Sequence, residues 1–237
     1  WAQGGIIYRG NDGDSAESLV KDIVRAGAGL SDRDAAWKLA SQGPDRVRQL
    51  LLDHEETRCF ANVPFDRTPQ GELSLCLEAS HAAPRILHHA DHTGKTITEH
   101  MVQAVAKHPL ITCLPNTLVT DLIVQDDVCV GVQTYNNQSI SNEYASFGTV
   151  LCSGGLAGIY LHSTNPTNGF NALGSSVAIA KRANVELRDL EYVQFHPTAL
   201  ALPPVFLLSE ALRGEGALLR NEQGRAFAKD FSPDGEL

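Results

Sequence analysis

No stretch of the 237-residue chain approaches the roughly twenty consecutive apolar residues that a membrane-spanning helix needs. The longest candidate, from Ala199 to Leu208, is interrupted by Pro203 and Pro204. No run of Lys or Arg forms a basic patch, and 28 acidic against 19 basic residues leave a formal charge of -9, which argues against non-specific nucleic-acid binding. Cysteine is too sparse for a disulfide framework. The five residues Cys59, Cys76, Cys113, Cys129 and Cys152 are odd in number and widely spaced in apolar contexts, which reads as reduced, buried thiols in a cytoplasmic protein. Internal repeats and low-complexity tracts are missing too. The opening Trp1-Ala2-Gln3-Gly4-Gly5-Ile6-Ile7 lacks an initiator Met, a basic leader and a signal-type apolar core, and reads as the interior of a longer protein. What remains is an ordinary globular composition, 43% hydrophobic and 20% charged, sized for one large domain or two small ones with small molecules or proteins as partners.

Helical periodicity dominates the first part. Asp14 or Ser15 with Glu17 predicts a helix start, Leu19, Ile23 and Val24 its apolar stripe, and Gly27-Ala28-Gly29 its stop. A second helix is predicted from Ser31-Asp32 to Gly43, and a third with Pro44 in its first turn and Val47, Leu50 and Leu51 on one face. Another spans Thr96 to Lys107, with Ile97, Met101, Val102 and Val105 as its stripe. Strands are expected at Leu110 to Leu114, Leu118 to Val124, Val128 to Tyr135, Thr149 to Cys152 and Glu191 to Phe195, with a hairpin at Asp126-Asp127 and a helix over Ser175 to Ala183. The whole reads as an α/β pattern of the nucleotide-binding kind, with a change of domain near residue 200.

The densest chemistry lies between Gln194 and Ala217. His196, Thr198, Ser209, Glu210 and Arg213 occupy a Pro- and Gly-punctuated segment whose apolar neighbours, Phe195, Leu200 and Val205 to Leu208, would draw them out of bulk water. Ser209 has no nucleophile-elbow glycines and no histidine at a fixed spacing, which excludes a serine hydrolase. Recognition of an anion fits better: His196 and Arg213 supply donors and positive charge, and the hydroxyls of Thr198 and Ser209 orient carboxylate oxygens. Gln3-Gly4-Gly5-Ile6 reads either as backbone open to a cofactor or as a plain turn, and so does Ser153-Gly154-Gly155 at the end of a predicted strand. Glu78, His81 and Arg85, followed by His88, His89, Asp91 and His92, bring together metal-ligating side chains. They lack a His-Glu-x-x-His spacing or a second cluster, so hydrogen-bonded histidines are expected rather than a metal.

Four blocks occur in order: Ala2-Gln3-Gly4-Gly5-Ile6, Ala90-Asp91-His92-Thr93-Gly94, Gln194-Phe195-His196-Pro197-Thr198, and Ser209 through Ala217. Through them the chain resembles the flavoprotein family of succinate dehydrogenase, fumarate reductase and L-aspartate oxidase over nearly its whole length. Val63 to Arg67, His196 to Leu200, Phe206 to Ala217 and above all Glu78 resemble the aspartate-oxidising branch. The dicarboxylate dehydrogenases usually carry an uncharged residue in place of Glu78, and a carboxylate there can hold the ammonium that aspartate has and succinate lacks.

The resemblance implies a partial FAD-binding nucleotide-binding fold, lacking its first βαβ unit, with a β-meander and the start of an α+β capping domain. Residues 1–200 would form the middle of the FAD-binding domain and 201–237 the beginning of the capping domain. It implies FAD as cofactor and oxidation of L-aspartate to iminoaspartate, the first step of de novo NAD biosynthesis, with reoxidation by O2 or fumarate and quinolinate synthase as a partner. It assigns Glu210 and Arg213 to catalysis, and Glu78, Gln194, His196, Thr198 and Ser209 to the substrate. Ala2, Gln3, Gly4, Gly5, Ile6, Val119, Gly154, Gly155 and Ser175 fall to the cofactor.

Departures qualify the match. The family's Gly-x-Gly-x-x-Gly fingerprint would precede residue 1, and a catalytic arginine, a second substrate histidine and a further arginine would follow residue 237. Ser209 replaces the usual threonine and keeps its hydroxyl, Gly174-Ser175-Ser176 stands where Gly-Asp-Gly is usual, and Glu78-Ala79-Ser80-His81 where Glu-Gly-Gly-His is usual. A soluble fumarate reductase or succinate dehydrogenase flavoprotein, and a folded fragment without activity, are the alternatives.

Overall fold

The computed structural model describes residues 4–10, 13–52, 60–78, 81–160, 172–196, 198–200, 206–214 and 216–231. The chain divides into two compact units, one of Trp1–Ile111 with Leu208–Leu237 and the other of Thr112–Leu207. Among the described residues every strand pairing is antiparallel.

The first unit is built on a small sheet in the order β1-β3-β2, from β1 (Ile6–Ile7), β2 (Leu75–Cys76) and β3 (Ile86–Leu87). Helix α1 (Ala16–Ala26) starts where Ser15 accepts a hydrogen bond from the Ser18 amide, and stops at Gly27, followed by Ala28 and Gly29 with positive φ. Helix α2 (Arg33–Leu51) is capped by Asp32, which accepts from the amides of Asp34 and Ala35 at 2.9 Å. It runs through Pro44 as one helix rather than breaking there. Ala36, Ala40, Pro44, Val47 and Leu51 are its buried residues and form one stripe across the proline, so packing outweighs the missing backbone hydrogen bond. Helix α3 (Thr93–Lys107) begins three residues before the apolar stripe predicts, because Thr93 is buried and its hydroxyl accepts from the His89 amide. The core gathers Val47, Leu51, Leu52, Val63, Phe65 and Leu87, with Ile6, Tyr8, Leu75, Ile97 and Met101 packed on it.

The second unit is a meander of β4 (Leu118–Gln125), β5 (Val128–Asn136) and β6 (Ser139–Tyr144). Asp126 and Asp127 both have positive φ, as the predicted hairpin requires, and Asn137 and Gln138 make a second such turn. The sequence pattern misses β6 because Ser139 to Tyr144 is exposed throughout and has no apolar alternation; hydrogen bonding to β5 alone holds it. Helix α4 (Ser175–Arg182) packs on β4, where Arg182 donates to Asp121 Oδ2 at 3.2 Å and to the Thr120 carbonyl at 2.9 Å. A two-residue pair, β7 (Ala199–Leu200) with β8 (Phe206–Leu207), closes the unit, and helix α5 (Glu210–Gly214) follows in the first.

Three predicted strands do not form. Leu110 to Leu114, Thr149 to Cys152 and Glu191 to Phe195 carry strand-type residues but pair with no strand among those described, and an isolated strand leaves its backbone groups unsatisfied. The thiols change with them: Cys113 and Cys152, on two of these segments, are exposed rather than buried, while Cys76 and Cys129 are half buried; none of the four is in a disulfide. Cys59 lies outside the described residues.

Gly131 is fixed by packing. A Cβ there would strike the Glu143 carbonyl and lie 2.9 Å from Tyr144 Cα, both backbone atoms of the neighbouring strand. Gly131→Ala is expected to destabilise the meander by about 1–3 kcal/mol in denaturant unfolding; an unchanged midpoint would show that the β5 and β6 backbones are not in close approach.

Candidate functional site

Arg85 precedes β3 and is fully buried. Its Nε and Nη2 donate to the two oxygens of Asp14 at 3.0 and 2.6 Å, and its Nη1 to Asp22 Oδ2 at 2.6 Å. Nη1 also reaches His81 Nδ1 at 3.0 Å, and Nη2 the Ser18 hydroxyl at 3.1 Å. The five N–H donors of a guanidinium therefore all have acceptors, the condition under which a buried charge is tolerated. The carboxylates are tied in further, Asp14 by the Gly10 amide at 2.8 Å and Asp22 by the Ala82 amide at 2.9 Å. This cluster joins α1 to the segment that carries Glu78.

Electrostatics follow the geometry. Burial works against charge on Asp14, but the bonds and charge of Arg85 and the Gly10 amide outweigh it and hold its carboxyl below the usual range. The same balance depresses Asp22, through the Ala82 amide and then Arg85. Burial lowers His81, the Arg85 charge lowers it further, and Asp22 and Asp14 offset this only in part, so the balance favours the neutral ring. Its Nδ1 accepts from Arg85, which places the ring proton on Nε2.

Glu78 lies just before this cluster. Its carbonyl accepts from the His81 amide at 3.0 Å, and its carboxylate rests against Gly4, where a Cβ would come 2.7 Å from Oε1. Gly5 is glycine for another reason: a Cβ there would strike the Leu87 carbonyl across the β1–β3 ladder. Ile6 pairs with Leu87 and packs on the core. Ala2, Gln3, Ala79 and Ser80 lie outside the described residues.

The histidines after Arg85 are committed to protein acceptors. His89 Nδ1 meets the Pro64 carbonyl at 2.6 Å, His88 Nδ1 meets Asp66 Oδ2 at 3.0 Å, and His92 Nδ1 meets Asp91 Oδ1 at 3.0 Å. No group of three or more His, Cys, Asp or Glu among the described residues is arranged to hold a metal ion. Within Val63 to Arg67, Val63 and Phe65 are core residues and Asp66 accepts from the Ala90 amide, so the motif is structural.

In the second unit, the Thr198 amide donates to His196 Nδ1 at 3.3 Å, which leaves His196 Nε2 as the proton-bearing nitrogen of the neutral ring. Thr198 is buried, and Gln194 and His196 are exposed. Phe195 and Leu200 are about half exposed and do not form the apolar shield the sequence suggests, because their segment has no strand partner beyond the short β7–β8 pair. Gly154 has a φ of 81°, and a Cβ on Gly155 would meet nothing within 4 Å, so bare peptide faces open space there. Val119 sits half buried in β4, and Ser175 is exposed at the first turn of α4, after Gly174 in the left-handed region. In the first unit, Ser209 and Arg213 are half buried; Ser209 precedes α5, its carbonyl accepts from the Leu212 amide, and the Glu210 side chain lies outside the description.

Asp14, Ser18 and Asp22 are the residues that motif reading misses. Their spacing of four, from just before α1 to its middle, places one polar stripe opposite Arg85, a readable signal for a buried cation.

The FAD binding domain family profile matches residues 1–237. The chain belongs to that family. It is 39% identical to the L-aspartate oxidase of Synechocystis sp. (strain PCC 6803), covering all of this chain and 41% of the relative, and 40% identical to that of Nostoc sp. (strain PCC 7120), covering all of this chain and 39% of the relative. An E. coli quinol fumarate reductase structure superposes with a TM-score of 0.85 at 28% identity, covering 97% of this chain and 37% of that one. The chain thus spans about two fifths of the length of the relatives it matches. No described helix is long and apolar enough to cross a membrane.

The depressed groups set a pH dependence. Unfolding releases His81 to its ordinary 6.5 and the two aspartates to 3.8, so in each case the unfolded state binds the proton first. Their stabilisation is complete above those values and is lost as pH falls through the lower folded ones. Thermal unfolding is expected to show a first decline below about pH 6.5 and a second below about pH 4. His81→Gln should remove the first; its persistence would assign that decline to another group.

Proposed function

We propose that the protein of which this chain is part oxidises L-aspartate to iminoaspartate, with FAD as its cofactor. The observation that carries this is Glu78, a carboxylate set against Gly4 and backed by the Arg85 cluster. Whole-chain similarity to aspartate oxidases supports it. The residues fit a flavin: Gly155 presents unobstructed peptide, Gly154 takes a backbone conformation that side chains rarely adopt, and Val119, Ser175, Gly4, Gly5 and Ile6 would complete the contacts. FAD, when bound, would supply the two-electron oxidising capacity for loss of hydride from the substrate Cα.

The chain's own residues do the rest. Glu78 accepts a charge-assisted hydrogen bond from the substrate ammonium, which a substrate without an amino group cannot make. His196 donates through Nε2–H to a substrate carboxylate, a role its bond from the Thr198 amide selects. The hydroxyls of Thr198 and Ser209 and the amide of Gln194 orient carboxylate oxygens, and Arg213 supplies positive charge. Glu210 takes the proton that must leave nitrogen as the imine forms. Residues 1–200 belong to the FAD-binding domain and 201–237 to the start of the capping domain. O2 or fumarate restores the oxidised cofactor, quinolinate synthase takes the product into NAD biosynthesis, and the protein works in the cytoplasm. The likeness to quinol fumarate reductase favours one second reading, a fumarate reductase or succinate dehydrogenase.

Anaerobic bleaching of the flavin in the full-length protein separates the two. Aspartate is expected to bleach it and succinate not. Glu78→Gln should slow bleaching by aspartate about tenfold to a hundredfold, the worth of one hydrogen bond to a charged group, and leave fumarate turnover in place. Bleaching by succinate alone would replace the reading with the second one.

A further inference from the structure

We propose that Gly4 is a specificity-determining residue: its missing side chain is the space in which the Glu78 carboxylate sits. The inference rests on the aspartate-oxidase reading above. Gly4 and Gly5 are adjacent but glycine for unrelated reasons. A Cβ on Gly5 collides with the backbone carbonyl of Leu87, so that glycine belongs to the ladder. The three atoms nearest to a Cβ on Gly4 among the described residues all belong to the Glu78 carboxylate, with Oε1 at 2.7 Å, Cδ at 3.6 Å and Oε2 at 3.9 Å. Gly4 does not adopt a positive φ, so its backbone accepts an L side chain without strain.

Glu78 has only one way to respond to such a side chain. Its carbonyl accepts from the His81 amide, and Ala82 is fastened to Asp22 within the buried cluster, so the segment after it is held at two points. The carboxylate ends a flexible side chain, whereas its backbone is anchored. A methyl group at position 4 therefore rotates the carboxylate away and leaves the fold in place. The group that distinguishes aspartate from a plain dicarboxylate is displaced by one methyl that touches neither the ladder nor the core.

The test is Gly4→Ala in the full-length, FAD-containing protein. The expected result is a crystal structure with the Glu78 carboxylate displaced and the β1–β3 pairing kept. The preference for aspartate over fumarate, read as the ratio of their kcat/KM values, falls about tenfold. Added to Glu78→Gln, the change brings no further loss, because both act on one contact. An unmoved Glu78 carboxylate overturns the proposal, and so do multiplicative losses in the double variant or loss of FAD with an unchanged preference for aspartate. If Gly4→Ala fails to fold in a Glu78→Gly background as well, the backbone itself requires glycine and the proposal falls. A wild-type protein that does not oxidise aspartate removes the functional reading and with it the specificity role, while the crystal structure of the variant separately decides whether the Gly4–Glu78 contact is real.

Discussion

A guanidinium removed completely from water is the constraint around which the first unit is organised. Burying a lone charge costs several kcal/mol even after relaxation, so Arg85 can stand before β3 only because Asp14, Asp22, Ser18 and His81 meet every one of its donors. Each partner then inherits a fixed position. Asp14, just before α1, and Asp22, within it, set its rotation; Asp14 also holds the Gly10 amide and Asp22 the Ala82 amide. The Arg85 carbonyl accepts from the Tyr8 amide, which continues the same registration into the strand after Gly4 and Gly5. Substituting lysine would keep the charge but offer three donors in place of five, without the planar fork that holds Asp14 by both oxygens.

His81 and His196 lie in different units, yet each accepts at Nδ1, from Arg85 in one case and from a backbone amide in the other, so each neutral ring carries its proton on Nε2. Under the proposed function, Glu78 is the acceptor for the substrate ammonium. The arrangement separates rigidity, supplied by buried ion pairs, from recognition, supplied by groups that remain accessible.

Much of this was legible in the sequence, for identifiable reasons. Local signals were reliable: Ser15 and Asp32 as caps, Gly27 as a stop, and Asp126-Asp127 as a hairpin depend on neighbours a few residues away. Non-local ones failed. The strand pattern at Leu110, Thr149 and Glu191 gives the propensity to pair but not the presence of a partner, and the proline at 44 was overruled by a burial stripe spanning both sides of it. Of the candidate site, the identities of Glu78, His196, Thr198 and Ser209 came from motif resemblance. The reason for Glu78's position did not, because it depends on Asp14 and Asp22, some sixty residues earlier in the chain. The histidines at 88, 89 and 92 make the hydrogen bonds that their spacing led one to expect, to the Pro64 carbonyl, Asp66 and Asp91.

The amides of Gly10 and Ala82 report on this account most directly, since each donates to a carboxylate of the Arg85 cluster and to no helix or strand. Native-state hydrogen exchange on them measures whether the cluster opens locally or only with the unit. The account predicts that both exchange as slowly as the core residues around Leu87, with protection that collapses together in Arg85→Leu. Exchange at the rate of an exposed loop in the wild-type protein would contradict it.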